Sequence, residues 1–251
     1  MTNRFTLNFA TTALVGFGVT LVIAKILSAM PSHAATAVRQ VSGAVPAKVV
    51  VELFQSQGCS SCPPANANVN AISDRVDILA LSFGVTYWDR LGWTDTFARP
   101  EYTRRQENYA RALGHTNVFT PQVVLNGRSD LVGGNRGELE RAIAHAQQNP
   151  PQARFAIDGT NLSVTGSDSG PSDIWLVSYE LQPINVAIRA GENNGKTLPH
   201  NHVVRGLVRI GTLAGSNGQF AIPAPVNRRL SRVVLVQGQN GGPIFGITEL
   251  P

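Results

Sequence analysis

The feature that most constrains this chain is Val49-Val50-Val51-Glu52-Leu53-Phe54-Gln55-Ser56-Gln57-Gly58-Cys59-Ser60-Ser61-Cys62-Pro63-Pro64. The β-branched apolar run reads as a strand over about 48–54, and a short polar turn follows it. The prolines then mark the first turn of a helix, where a missing N–H costs nothing. Cys59 and Cys62 are the only cysteines among the 251 residues. At a helix start a thiol meets unpaired N–H groups and the positive end of the dipole, which stabilise its thiolate. The thiolate is the nucleophile of disulfide exchange, and Cys62 is spaced to attack a mixed disulfide formed at Cys59. A disulfide across so small a loop gains little loop entropy, so it is poorly placed as a staple.

The termini and the charge balance narrow the classes. Residues 1–34 read as a secretory signal, with Arg4 in the n-region, an apolar run over 9–24 and Ser32-His33-Ala34 as a small-x-small cleavage site. This implies export to a periplasm or the exterior, with no stable membrane insertion once the segment is removed. An uncleaved N-terminal anchor is the alternative, although Lys25 interrupts the apolar stretch. Removal takes away Arg4, Lys25 and no acid, so 21 basic and 16 acidic side chains become 19 and 16, a net charge of +3. The basic residues are scattered, which excludes a nucleic-acid footprint. Both methionines, Met1 and Met30, fall in the removed segment, so thioether copper binding is excluded from the mature chain.

Along the chain, 63–74 reads as a helix with Ala65, Val69 and Ile72 at helical spacing, and 78–85 as a buried parallel strand. The segment 86–99 holds Tyr87, Trp88, Trp93 and Phe97, either a hydrophobic cluster under a loop or a wall of the groove beside the thiols. Pro100 opens a helix that Gly114 closes. Thr120-Pro121 then leads into a short strand and Asn126-Gly127, a hairpin signal. Asn135 and Glu138 cap a helix over 135–148, which Asn149-Pro150-Pro151 ends. From about 152, short β-branched runs recur between Gly, Asn, Ser and Pro, about eight strands in all, as in an antiparallel sandwich or barrel. The pattern predicts two domains, 47–149 and 152–251.

Strand, Cys-x-x-Cys, helix, strand, helix, Thr-Pro-strand, hairpin and closing helix together resemble the thioredoxin-like fold. That resemblance implies an α/β N-terminal domain beside a C-terminal all-β, sandwich-like domain, with Pro121 cis and facing the Cys pair. Four stretches are similar to an exported family catalogued as domain of unknown function 1223. They are 52–65, Tyr-Trp-Asp-Arg-Leu-Gly-Trp at 87–93, Tyr-Ala-Arg-Ala-Leu-Gly at 109–114 and Phe-Thr-Pro-Gln-Val-Val-Leu-Asn-Gly-Arg at 119–128. A weaker likeness continues through Gly191-Glu192-Asn193-Asn194-Gly195-Lys196-Thr197 and 201–205. Gly84-Val85-Thr86 stands where the family carries His-Val-Asp, so any part those two residues play in relatives is missing here.

Three readings of the cysteines stand: a redox pair, a passive disulfide and half of a metal site. The redox reading makes Cys59 the attacking and Cys62 the resolving residue, with protein or small-molecule thiols and disulfides as partners and no cofactor. Pro121 and Thr120 then shape the docking groove, and Tyr87 and Trp88 contact substrate. Resemblance to thioredoxin-like enzymes implies that a buried acid near Glu52 moves the proton of Cys62. The offset from Cys59 is one residue longer than usual, so Glu52 either points elsewhere or the turn at Gly58 absorbs the difference. A binding module that keeps the disulfide without turnover is the competing class, and a zinc- or copper-handling protein using His200 or His202 is a third. Zinc has no second Cys-x-x-Cys to complete it, so no metal site is assigned. Residues 190–197 match a permissive phosphate-loop pattern, but Pro199 and the surrounding strands leave no helix to cradle a phosphate.

Overall fold

The computed structural model describes residues 48–166 and 170–251; the expected signal segment lies outside them. In the first half the elements are β1 (Val49–Gln55), α1 (Cys62–Asn70), β2 (Ile78–Gly84), α2 (Pro100–Ala112), β3 (Gln122–Leu125), β4 (Ser129–Leu131) and α3 (Arg136–Ala146). The second half adds β5 (Arg154–Asp158), β6 (Asn161–Thr165), β7 (Ser172–Tyr179), β8 (Ile184–Ala187), β9 (Thr197–His200), β10 (Val204–Leu213), β11 (Asn217–Ala221), β12 (Ser231–Gly238) and β13 (Ile244–Leu250). Among the described residues no helix is long and apolar enough to cross a membrane.

The first sheet runs β2-β1-β3-β4. β1 pairs parallel with β2 and antiparallel with β3, and β3 pairs antiparallel with β4. The Asn126-Gly127 turn joins the last two, with φ of 48° and 63°, values that asparagine and glycine tolerate best. Strand alternation sorts β1 onto two faces. Val49, Val51 and Leu53 pack with Ala65 and Val69 of α1 and with Leu139 and Ile143 of α3. Val50 and Phe54 face the other way, onto Tyr102 and Tyr109 of α2.

That second face corrects the expected fold class. The α/β thioredoxin-like arrangement calls for helices around a sheet, beside a separate all-β part. Instead strand accounts for 39% and helix for 19% of the described residues, with three α-helices among them spread over several sheets, although they are not plainly all-β. The physical reason is a shared core. Val177 and Tyr179 of β7, Val204 of β10, and Val233 and Leu235 of β12 bury themselves against Val50, Phe54, Leu81 and Phe83. Each such aliphatic or aromatic side chain contributes about 1.5–3 kcal/mol by leaving water. The β10-β7-β12-β13 sheet is apolar on both faces, because its opposite side carries Ile174, Leu176, Val234 and Val236 against Leu162 and Val164 of β6. The described residues accordingly fall within one compact unit.

β9 contains Pro199, whose residue type argues against a strand in sequence. Among the described residues it pairs with β8 alone, in a two-stranded ribbon. The connection between the two, residues 188–196, reaches the end of β1 where the cysteines lie.

Candidate functional site

Register brings four segments to one end of the first sheet. Gln55 lies opposite Gly84 in the parallel pair, so the segment after β2 emerges beside the turn that leaves β1. Phe54 lies opposite Gln122 in the antiparallel pair, so Thr120 and Pro121 run alongside the same turn. The Thr120–Pro121 peptide is cis. The fourth segment is the 188–196 connection.

Cys59 and Cys62 form a disulfide, and both are buried, at 0% and 1% exposure. The turn is closed by backbone bonds from Cys59 N–H to Ser56 O (3.1 Å) and from Cys62 N–H to Cys59 O (3.2 Å). Around Cys59 Sγ sit two hydroxyls. Thr120 Oγ1 donates to the sulfur at 3.4 Å and accepts from Trp88 Nε1 at 2.8 Å. Because the indole supplies the proton that Thr120 accepts, the threonine hydroxyl is free to point its own proton at sulfur. Ser61 Oγ lies 3.3 Å from Cys59 Sγ and 3.3 Å from Thr120 O. Tyr87 stands one step back: its hydroxyl donates to Gln106 Oε1 (3.2 Å), and Gln106 Nε2 donates to Phe119 O (2.7 Å) and Gln122 Oε1 (3.0 Å). Burial raises the Tyr87 pKa, so it remains a neutral donor.

Of the residues singled out in sequence, Cys59, Cys62, Thr120, Pro121 and Trp88 converge, and Tyr87 supports them. Glu52 does not join them. It lies on the α2 face of β1, where Arg105 Nε and Nη2 donate to its two oxygens at 2.8 and 3.2 Å and Tyr109 OH donates as well. Gln237 Nε2 from β12 donates to Tyr109 OH at 2.9 Å, which ties this buried ion pair to the C-terminal sheet. His200 and His202 are both buried. His200 Nδ1 meets Gln55 Nε2 at 2.8 Å and its ring packs edge-on against Phe97. His202 Nδ1 meets Ala80 O at 3.0 Å. Burial lowers the His200 pKa to about 4, so the ring is neutral near pH 7. Among the described residues no group of three His, Cys, Asp or Glu is placed to hold a metal ion.

Sequence reasoning missed the residues that fix the turn itself. Gln57 N–H donates to Asp95 Oδ2 (2.7 Å), and Phe97 N–H donates to Asp95 Oδ1 (2.8 Å). Burial pushes the Asp95 carboxyl up to about 6 against the pull of those donors. The Gln57 side chain accepts from Trp93 Nε1 (2.9 Å) and donates to Thr96 Oγ1 (3.0 Å). From the 188–196 connection, Asn193 Nδ2 donates to the carbonyls of both Gln57 (2.9 Å) and Cys59 (2.8 Å). Lys196 Nζ donates to Asn193 Oδ1 (2.9 Å), and Glu192 Oε2 accepts from Ser60 N–H (3.0 Å). Gly191, at φ +71°, lets this loop pass Trp93, since a Cβ there would sit 3.2 Å from the Trp93 Cβ. The available signal was the weaker family likeness at 191–197, in the stretch that imitates a phosphate loop.

Comparison with known proteins places the chain. The family model described as "Protein of unknown function (DUF1223)" matches residues 50–237. A crystal structure of protein AGR_C_4864 from Agrobacterium tumefaciens is similar at 30% identity and a TM-score of 0.67, over 80% of this chain and 93% of that one. HBP35 of Porphyromonas gingivalis is similar at 14% identity and a TM-score of 0.51, over 83% of this chain and 76% of that one, a likeness of fold alone. Among curated proteins none matches. With its cysteine turn, its Thr-Pro strand and its C-terminal loop all inside the matched span, the chain belongs to the family of proteins of unknown function DUF1223.

Proposed function

We propose that this protein is an exported thiol–disulfide oxidoreductase acting on protein or small-molecule thiols and disulfides through Cys59 and Cys62. The observation that carries the reading is the hydrogen-bond relay from Trp88 Nε1 to Thr120 Oγ1 to Cys59 Sγ, at 2.8 and 3.4 Å. A donor aimed at sulfur stabilises a thiolate, the species that attacks and leaves in exchange. In the reducing direction the Cys59 thiolate attacks a substrate disulfide, forming a mixed disulfide and releasing one substrate thiolate, which takes a proton from solvent. The Cys62 thiolate then attacks Cys59 Sγ, closing the protein disulfide and releasing the second substrate thiolate. Two electrons pass from the cysteine pair to the substrate, and the reverse sequence oxidises a dithiol. The signal pattern of 1–34 supports export to a compartment where such disulfides persist.

Turnover of a protein disulfide, with glutathione as the electron source, tests this. Activity should vanish in Cys59→Ser, and Cys62→Ala should accumulate the mixed disulfide. A wild type inert toward both glutathione disulfide and protein disulfides would sink the proposal. The complete burial of Cys59 favours a second reading, a binding module that keeps its disulfide without turnover. On that reading the native pair resists dithiothreitol and yields only when the protein unfolds.

A further inference from the structure

Besides the Thr120 and Ser61 hydroxyls near Cys59 Sγ, the thiol turn is poor in the backbone N–H donors that a helix start brings to a thiolate. A helix start normally offers a cluster of free N–H groups to a nearby anion. Here Pro63 and Pro64 have none, and the Cys62 N–H is taken by Cys59 O. The Ser60 N–H, next to Cys59 in the chain, is turned outward to the Glu192 carboxylate at 3.0 Å. This placement is built. Asn193, buried and adjacent to Glu192, clamps the loop onto the carbonyls of Gln57 and Cys59, and Lys196 holds Asn193. Hydrogen bonds from Ser60 lower the Glu192 pKa, so it is an anion at neutral pH. The other charged groups bearing on the turn are Asp95, on the Gln57 N–H, and Lys196, whose ammonium is engaged by Asn193.

We propose that Glu192 is a positioning residue that sets the redox poise of the cysteine pair. It occupies the Ser60 N–H and so fixes a negative charge at the residue that follows Cys59, which disfavours the Cys59 thiolate and poises the pair as an electron donor. The inference rests on the redox reading of Cys59 and Cys62. Its chemistry follows from the exchange equilibrium: the dithiol form is stabilised when one thiol ionises easily, and such pairs are oxidants. Raising that thiol's pKa favours the disulfide, so the reduced pair gives up its electrons more readily. The matching substrate class is an oxidised thiol, a disulfide in a protein or small molecule, that the pair reduces while becoming a disulfide itself.

The test is equilibration of the full chain with mixtures of glutathione and glutathione disulfide, with thiolate absorbance read against pH. Glu192→Gln removes the charge and keeps an acceptor for Ser60; Glu192→Ala removes both. The expected result is a lower Cys59 pKa and an equilibrium shifted about threefold to tenfold toward the dithiol, roughly 15–30 mV for two electrons. The Ala variant should shift further than Gln, Glu192→Asp should restore most of the wild-type value, and high salt should shrink the Gln effect by screening. Glu192 is exposed, so these variants should fold. Variants that equilibrate with glutathione like the wild type, within twofold, overturn this proposal and leave the redox reading standing. A wild type that never equilibrates overturns both.

Discussion

Two buried polar clusters touch β1 and the turn that leaves it, and they are made of different materials. At Glu52 the partners are charged and close only on each other and Tyr109, inside the core between α2 and the C-terminal sheet. At Gln57 to Cys59 the partners are an amide, two indoles, hydroxyls, backbone carbonyls and one buried carboxylate, drawn from three loops. The first is an all-or-none lock, because a buried ion that loses its partner has nowhere to put its charge. The second is a set of separable bonds, each removable at moderate cost. A scaffold is built from the first kind, and a site whose chemistry can be tuned is built from the second.

The largest effect should come from breaking the lock. Glu52→Ala leaves the Arg105 guanidinium buried without its carboxylate and should cost about 3–5 kcal/mol in denaturant unfolding. Replacing both partners, with Glu52→Leu and Arg105→Met, should recover most of that loss. If Glu52→Ala instead alters Cys59 reactivity in the folded protein with little loss of stability, the division between lock and site fails.

Next in size is a pair of opposed pH dependences around the thiol turn. His200 has a folded pKa of about 4 against an ordinary 6.5, so its contribution to stability is full above 6.5 and is lost as pH falls toward 4. Asp95 has a folded pKa of about 6 against 3.8, so its contribution is full below 3.8 and is lost as pH rises through 6. At 1.36 kcal/mol per unit each amounts to about 3 kcal/mol, with opposite sign. Relative to the wild type, Asp95→Asn should lose stability on acidification from pH 6.5 to 4, and His200→Gln should gain it. Unfolding midpoints across that range decide the matter, and parallel profiles for all three proteins would remove the opposition.

The smallest effect concerns one amide. Asn193→Ala deletes the donor shared by the Gln57 and Cys59 carbonyls and should cost about 1–3 kcal/mol. It should also speed reduction of the native disulfide by dithiothreitol, because the clamp over the turn is gone. Equal loss of stability with an unchanged reduction rate would show that the loop merely packs against the turn.

Local signals were legible in the sequence where a single element carried them. The strand into Cys59, the Asn135 cap that accepts from Glu138 N–H, the limits of α2 and the Asn126-Gly127 turn all rest on neighbours a few residues apart. Fold class was not legible, because it depends on which surface covers the second face of β1. Helical and β-rich covers ask for the same apolar residues at Val50 and Phe54. The orientation of Glu52 follows strand alternation with those two, yet its partners lie 53 and 57 residues away. His200 and His202 share a face only on a continuous strand, and β9 stops at His200 while His202 takes φ +49°. Asn193 was hidden for the plainest reason, since its role is written in the turn it grips and not in its own loop.

The bond from Asn193 to the Cys59 carbonyl spans 134 residues, and a chain is made from its N-terminus. At roughly 5–20 residues per second, Cys59 precedes its clamp by roughly 7–27 s of synthesis. During that interval both thiols exist without Glu192, without Asn193 and without the C-terminal sheet behind Phe54. Any oxidation of the pair within that interval takes place on an uncovered turn, before Glu192 and Asn193 can act on it.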